Sequence, residues 1–330
     1  MSSLSLTIAC RGYDRVSALM DGRVTVEGCT VNFLPMGPEE VFFRAFRHQE
    51  FDVCELSLST YIITLTRQNS DYIAVPIFPS RMFRHSGIYI YNDAGITKPE
   101  DLVGRTVGVP EYQVTAAVWI RGMLQDEYGV EPKTIHWRTG GLEEPGRYEK
   151  VSLDLPEEIE VEPINERKIL SRMLLDGELD ALVTPRIPSC FQLNKPGVSR
   201  LFSDYRSTER AYFEKTGLFP IMHTIGIRRR LLDEYPWLAS SIYKAFTEAK
   251  HLAMSELTDT TSLLATLPWL TAELDDTRAL MGDDYWPYGV DKNYLTIETL
   301  LRYSHEQGLS PHQLAVEDLF AESTLDSTKV

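Results

Sequence analysis

The strongest constraint on the fold is an alternation of strand-like and helix-like segments over the first two thirds of the chain. The apolar runs LSLTIAC, CTVNFLP, FDVCELSL and YIAVPIF have the length and composition of buried strands. Between them, PEEVFFRAF and STYIITLTRQ have helical spacing, with Ser59 as the predicted N-cap of the second helix. This alternation predicts an α/β protein with a mainly parallel sheet that is covered by helices.

The alternation starts again after the segment GITKPEDLVGRTVGVP, which reads as a boundary between two lobes. The strand IMHTIGIRR then returns the chain to the first lobe, and the residues after Leu231 have mostly helical patterns. We therefore predict a two-lobed clamshell with a ligand cleft between the lobes. Residues 1–93 and 222–330 form the first lobe, and residues 94–221 form the second.

Composition excludes several classes of function. The formal net charge of −15 over 330 residues argues against nucleic-acid binding, which needs a broad basic surface. No apolar run approaches the ~20 residues of a membrane helix, so no membrane partner is expected. The start MSSLSLTIACRGYDR lacks the pattern of a signal peptide, and none of the four cysteines forms a CxxC pair. These features predict a cytoplasmic protein with reduced thiols.

In open α/β sheets, ligands bind beyond the carboxyl ends of the strands, and this rule selects the candidate site. The cation-rich segment FPSRMFRHSG, residues 78–87, follows the fourth strand and is unusual in so acidic a chain. The residues selected at strand ends and at the return crossing are Arg11, Glu55, Arg81, Phe83, Arg84, His85, Tyr112, Gln113, Arg186 and His223.

Several segments also resemble a known family. They are RGYDR (11–15), FDVCELSLSTYI (51–62), FPSRMFRHSG (78–87), TGGLEEPGR (139–147), FPIMHTIGIR (219–228) and WPYGVDKN (286–293). The chain resembles the 4,5-dihydroxyphthalate decarboxylases, which have a type 2 periplasmic-binding-protein-like fold. The resemblance implies loss of one carboxylate from 4,5-dihydroxyphthalate, an aromatic dicarboxylate, to give protocatechuate and CO2.

The chemistry of that substrate suggests roles for the selected residues. Arg81, Arg84 and Arg186 are candidates for binding carboxylate, and Arg11, Tyr112, Gln113 and Phe83 for further contacts with the ring. His85 and His223 are candidate proton shuttles, and Glu55 is a candidate base. No cofactor is expected, because the hydroxylated ring itself supplies the electrons. Phe78, Phe83 and Tyr112 are candidates for an apolar wall against the leaving carboxylate.

Other interpretations remain open. Glu55 and His223 have structural alternatives as a buried, hydrogen-bonded carboxylate and a satisfied core histidine. His85, His223 and Glu55 are the residue types of a two-histidine, one-carboxylate metal site, but no HxH or HxxxH spacing supports it and no metal is predicted. Gly140 and Gly141 suggest a turn with positive φ.

The main alternative function is a non-catalytic binding protein for aromatic acids, which the same clamshell would suit equally well. The lack of a signal-peptide pattern counts against it. The helical C-terminal third offers apolar surface for a homo-oligomer.

Overall fold

The computed structural model describes residues 3–193 and 196–326. The strands in the described chain are β1 (Leu4–Cys10), β2 (Cys29–Pro35), β3 (Val53–Ser57), β4 (Tyr72–Arg81), β5 (Ile88–Tyr91), β6 (Thr106–Val109), β7 (His136–Thr139), β8 (Val161–Pro163), β9 (Ala181–Val183), β10 (Val198–Arg200) and β11 (Ile221–Arg228). The α-helices are α1 (Ser17–Met20), α2 (Pro38–His48), α3 (Leu58–Thr66), α4 (Thr115–Tyr128), α5 (Leu170–Leu175), α6 (Ser189–Gln192), α7 (Tyr205–Thr216), α8 (Arg229–Glu234), α9 (Leu238–Glu256), α10 (Leu270–Met281) and α11 (Tyr294–Glu306).

The strands form two sheets, and this confirms the predicted two-lobed α/β architecture. The first sheet has the order β2-β1-β3-β11-β4, and the second has the order β10-β5-β9-β6-β7-β8. In the first sheet β1 runs parallel to β2 and β3, whereas β11 runs antiparallel to both β3 and β4. In the second sheet β6 runs parallel to β7 and β9, and β5 runs antiparallel to β9 and β10. Each sheet is therefore mixed rather than mainly parallel.

The crossing from the first sheet to the second lies earlier than the sequence suggested. We expected residues 88–91 to belong to the first lobe, but β5 pairs with β9 and β10 in the second sheet. The chain thus leaves the first sheet at Arg81 and reaches the second at Ile88. The return strand β11 pairs in the first sheet, as predicted.

Two local predictions were also wrong. The residue that caps the N-terminus of α3 is Ser57, and Ser59 lies inside the helix, because β3 passes directly into α3 without a loop. Helix α7 was not predicted, since its sequence YRSTERAYFEKT has few apolar residues, and only Tyr212 among them is buried.

The C-terminal helices join the lobes. Helix α9 packs on β4, and α11 packs on both α3 and α4, the helices that follow β3 and β6. The indole N–H of Trp119 in α4 donates to the carbonyl of Ile221 in β11 at 2.8 Å, which ties the second lobe to the first sheet. None of the helices in the described part of the chain combines the length and the apolar character that crossing a membrane requires.

Candidate active site

A buried carboxylate and a histidine form the centre of the cleft between the sheets. Glu55 lies in β3 and His223 in the neighbouring antiparallel strand β11, where His223 pairs with Ser57. Because side chains alternate along a strand, Glu55 and Ser57 point to the same face as His223. Nδ1 of His223 lies 2.6 Å from Oε1 of Glu55. The two residues are thus held by the sheet itself rather than by flexible loops.

The Glu55 carboxylate is fully buried and accepts several hydrogen bonds. The hydroxyl of Tyr13 donates to Oε1 at 2.7 Å, and the backbone N–H of Arg11 donates to Oε2 at 3.1 Å. Burial alone would raise the pKa of Glu55, but His223 and these donors lower it below its ordinary value. Burial and the Glu55 charge raise the pKa of Tyr13, so Tyr13 remains a phenol that donates. Glu55 is therefore a carboxylate at neutral pH.

This pair fixes the orientation of the imidazole. An ionised carboxylate only accepts hydrogen bonds, so Nδ1 of His223 must carry the proton that it shares with Glu55. Nε2 is then the ring nitrogen that remains for a ligand in the cleft. The ring also packs edge-on against Phe42, with centroids 4.8 Å apart. The arrangement gives one directed proton donor or acceptor in a cleft of about 420 Å³.

Cations from both lobes surround this cleft. They are Arg11, Arg84, Arg147, Lys150 and Arg186. Arg84 belongs to the crossing segment, is largely buried and donates from Nε to Sδ of Met222 at 3.2 Å. Burial lowers the pKa of Arg84 to about 10, which leaves it charged at neutral pH. The cleft thus concentrates positive charge in an acidic protein, as a small anionic ligand requires.

Two carboxylates partly neutralise the cations of the second lobe. Arg147 pairs with Glu39 at 3.1 Å and with the buried Glu111 at 2.6 Å, and Lys150 pairs with Glu111 at 2.6 Å. Arg186 also reaches Glu39, at 3.0 Å. Glu39 lies in α2 of the first lobe, so its carboxylate bridges the cleft to both arginines.

The loop that carries Arg147 depends on close backbone packing at Gly141. A Cβ atom at Gly141 would lie 1.5 Å from the carbonyl oxygen of Glu144, so no other residue fits there. Neither Gly140 nor Gly141 has a positive φ, and the turn with positive φ that we expected is wrong. Glycine is needed here for space rather than for its conformation.

The structure places five predicted site residues in the cleft and five outside it. Lining the cleft or bonded at its base are Arg11, Glu55, Arg84, Arg186 and His223. His85 is buried, packs against the rings of Phe202 and Tyr212, and does not line the cleft. Burial lowers the pKa of His85 to about 4, so it is neutral at physiological pH. This environment is that of a core side chain.

Arg81 and Phe83 also lie away from the cleft. Arg81 is buried, bonds to Asn293 and lies over the rings of Phe78 and Phe219. Phe83 packs on Phe219, with centroids 4.8 Å apart. Both residues line a separate pocket on the other side of the crossing segment.

Tyr112 and Gln113 are buried beneath the second lobe's edge of the cleft. The ring of Tyr112 stacks on the guanidinium of Arg121, and its hydroxyl donates to the carbonyl of Gln307. The amide nitrogen of Gln113 donates to Glu149 and to the carbonyl of Val151. Because these polar groups already bond to other parts of the protein, we place Tyr112 and Gln113 among the residues that support the wall of the cleft.

Other cleft residues were not assigned to the site from the sequence. They include Tyr13, Glu39, Phe42, Ser57, Ser80, Thr115, Arg147 and Lys150. Arg147 is the last residue of the TGGLEEPGR segment, and the resemblance of that segment to the family was the signal that could have pointed to Arg147 as a site residue. Among the described residues, no group of three or more His, Cys, Asp or Glu side chains is arranged to hold a metal ion.

Two solved structures with the same fold are named as sulphonate-binding proteins. The chain aligns with the periplasmic aliphatic sulphonate-binding protein SsuA of Escherichia coli at a TM-score of 0.52 and 14% identity, over 98% of this chain and 99% of that one. A putative SsuA of Methylobacillus flagellatus aligns at a TM-score of 0.56 and 12% identity, over 97% and 92% of the two chains. The expected periplasmic-binding-protein-like fold is confirmed, and identity this low carries no further conclusion.

The sequence comparison finds relatives at much higher identity than these solved structures. No family model matches the chain. Over 204 residues, covering 62% of this chain and 79% of the relative, it is 50% identical to 4,5-dihydroxyphthalate decarboxylase of Pseudomonas putida. Over 330 residues, covering 100% of both chains, it is 45% identical to 4,5-dihydroxyphthalate decarboxylase of Comamonas testosteroni. The chain therefore belongs to the 4,5-dihydroxyphthalate decarboxylase family.

Proposed function

We propose that this protein removes one carboxylate from 4,5-dihydroxyphthalate in the cleft, giving protocatechuate and CO2. The observation that carries the proposal is the Glu55–His223 pair, 2.6 Å apart, at the base of a cleft lined by five cations. The names of the relatives supply the substrate, and the cleft supplies groups of the right charge and chemistry for it.

The substrate is a dianion, and the cleft offers separate cations for its two carboxylates. Arg84 is largely buried and contacts Met222, whereas the side chain of Arg186 is 66% exposed and pairs with Glu39 at 3.0 Å. Arginine binds carboxylate through two parallel hydrogen bonds, which fixes the plane of the bound group. In this proposal Arg84 orients the ring, and the cations of the second lobe bind the carboxylate nearest to them.

His223 supplies the proton that replaces the carboxylate. The protonated imidazole donates from Nε2 to the ring carbon that bears the leaving carboxylate. The hydroxyl para to that carbon stabilises the resulting cationic ring through its oxygen lone pair. The carbon–carbon bond then breaks, its electron pair restores the aromatic ring, and CO2 departs. His223 regains a proton from solvent, so the net reaction consumes one proton.

Glu55 acts through His223 in this scheme. Both of its oxygens are occupied by His223, Tyr13 and the Arg11 N–H, so they do not face the substrate. Its charge holds the proton on Nδ1 and keeps Nε2 directed into the cleft. Glu55 is thus a positioning residue, in place of the direct base considered from the sequence.

A cytoplasmic location and a role in phthalate breakdown belong to the same proposal. All four cysteines lie in the described chain as free thiols, which suits a reducing compartment.

The test is an assay of the purified protein with 4,5-dihydroxyphthalate, following the ultraviolet spectrum and CO2 release. Turnover with one CO2 per protocatechuate supports the proposal. Saturable binding without turnover overturns it in favour of a binding protein for aromatic acids. Phthalate is the matched control: it has both carboxylates but no para hydroxyl, so it should bind without releasing CO2.

A further inference from the structure

A second pocket lies on the other side of the crossing segment from the cleft. We call it the hinge pocket; it is bounded by residues 81–87, by the segment 184–187 and by helices α7 and α10. Its volume is about 540 Å³, against about 420 Å³ for the cleft. Arg84 and Pro185 line both spaces, so the two are neighbours that share a wall.

Three arginines of the hinge pocket make no close ion pair within the described part of the chain. Arg81, Arg84 and Arg200 line it, and none of the three has a carboxylate within ion-pair distance among residues 3–193 and 196–326. Nε of Arg81 is buried and has no hydrogen-bond partner in that part of the chain. Burial lowers the pKa of Arg81 to about 9, which leaves it charged at neutral pH. A buried cation without a counter-ion is costly, and an anion from solution would offset that cost.

Among the described residues that line the hinge pocket, Glu209 is the one with a carboxylate, and it faces these arginines. Its Oε1 accepts the backbone N–H of Ser86 at 3.3 Å and lies 4.0 Å from Nδ1 of His85. Burial raises the pKa of Glu209 to about 7, so near neutral pH it carries only part of a negative charge. The arginines together therefore exceed the negative charge in the pocket.

The remaining surface of the hinge pocket is mostly apolar and rich in rings. Its aromatic side chains are Phe83, Tyr89, Tyr205, Phe219, Tyr285 and Trp286. Ring faces of this kind select flat aromatic ligands, and arginine binds a carboxylate at the ligand's edge. Three arginines face one partly ionised carboxylate, so the excess of positive charge is enough to bind at least one ligand carboxylate.

We propose that the hinge pocket is a second binding site, separate from the cleft, for a flat aromatic carboxylate. Arg84 lies in the shared wall, so a ligand there draws on the same guanidinium that faces the cleft. Occupancy of the hinge pocket is then coupled to binding in the cleft, and each ligand weakens the other. The site stands on its own geometry and does not depend on the proposed reaction.

The experiment is titration of the purified protein with benzoate by calorimetry, in the wild type and in three variants. Thr277→Trp fills the hinge pocket from α10, and Thr271→Trp places the same ring on the exposed face of that helix as the matched control. Lys150→Met removes a cation that lines the cleft and does not line the hinge pocket. We expect saturable benzoate binding that weakens at least tenfold in Thr277→Trp and changes less than twofold in the other two.

Two results overturn the proposal: no saturable benzoate binding by the wild type, or affinity lost in Lys150→Met and kept in Thr277→Trp. Should Thr277→Trp fail to fold by circular dichroism, crystals of the wild type soaked in 4-bromobenzoate give the answer. An anomalous bromine peak in the hinge pocket supports the proposal, and a peak in the cleft alone, or none, overturns it. These readouts require no turnover, so they are independent of the decarboxylase assay.

Discussion

His223 and Glu55 are 168 residues apart in sequence, yet Nδ1 of the histidine lies 2.6 Å from Oε1 of the buried glutamate. Adjacent antiparallel strands place both side chains on one face of the first sheet, at the edge that opens into the cleft. Replacing either residue should therefore lower kcat, because the sheet places the two side chains so that Glu55 orients His223.

His223→Gln should lower kcat for 4,5-dihydroxyphthalate by about 10²- to 10⁴-fold, the range for loss of a general acid. KM should change little, because the cations that bind the carboxylates remain in place. Steady-state kinetics measures both. His48→Gln, at an exposed position in α2, is the matched control and should have wild-type kinetics. A kcat for His223→Gln within twofold of the wild type would contradict the proton-donor role.

Glu55→Gln tests whether Glu55 acts through His223. The variant keeps the shape of the side chain but loses the charge, so kcat should fall by about 10- to 100-fold. In the double variant with His223→Gln, the two losses should not add, because a positioning residue has no effect once its partner is gone. Additive losses in a double-mutant cycle would instead give Glu55 a direct contact with substrate.

Arg84→Met should act on binding. Loss of one charge-assisted hydrogen-bonding partner costs about 1.5–3 kcal/mol, so kcat/KM should fall by roughly 10- to 150-fold, mainly through KM. Arg172→Met is the control, since Arg172 is an exposed residue of α5 that pairs with Asp176. An unchanged KM in Arg84→Met would remove this arginine from the substrate site.

The sequence predicted the fold well because the information needed was local. Strand and helix periodicities repeat along the chain, and the return of β11 to the first sheet followed from one apolar strand after the second lobe. The predicted position of the first crossing was wrong because the sequence of β5 is that of a strand that could belong to either sheet. Only its pairing with β9 and β10 assigns it to the second sheet, and pairing is not a local property.

The candidate site was predicted less completely, for two physical reasons. The crossing segment leaves the extended conformation at Arg84, where a 3-10 turn over His85–Gly87 begins, so strand alternation does not give the directions of its side chains. Of Arg81, Phe83, Arg84 and His85, Arg84 is the one that lines the cleft. Arg147 and Lys150 lie in an irregular loop without helical or strand periodicity. A sequence pattern does not predict which part of the protein such a loop packs against.

His85→Phe should stabilise the protein and leave its activity intact. Both ring nitrogens of His85 are buried without a hydrogen-bond partner in the described chain, and the ring packs against Phe202 and Tyr212. Removing buried unsatisfied polar atoms while keeping an aromatic ring should raise the free energy of unfolding by about 1 kcal/mol. Urea denaturation measures the gain. A large fall in kcat would restore His85 to the catalytic residues predicted from the sequence.

Glu39→Gln should lower KM. In the ligand-free cleft the Glu39 carboxylate pairs with Arg147 at 3.1 Å and with Arg186 at 3.0 Å, so it competes with a substrate carboxylate for both. Removing its charge weakens both pairs, although Arg147 keeps its pair with Glu111, and we expect KM to fall about two- to fivefold with kcat unchanged, since exposed pairs contribute up to about 1 kcal/mol. Glu40→Gln, one position along α2 and paired with Arg44, is the matched control. A raised KM would mean that Glu39 helps to bind substrate.

Glu209→Gln should change how stability depends on pH. Burial raises the pKa of Glu209 from 4.5 to about 7, so between these values the folded protein holds a proton that the unfolded chain releases. By linkage, this contribution to stability is fully present below pH 4.5 and is lost as the pH rises through 7. His85, whose pKa burial lowers to about 4, acts in the opposite direction, and the nearby Arg84, whose pKa is about 10, stays charged throughout. The free energy of unfolding of the wild type minus that of Glu209→Gln isolates Glu209 and should decrease from pH 5 to pH 8. Urea denaturation at both pH values measures it, and a difference that stays constant or increases would show that folding does not raise the pKa of Glu209.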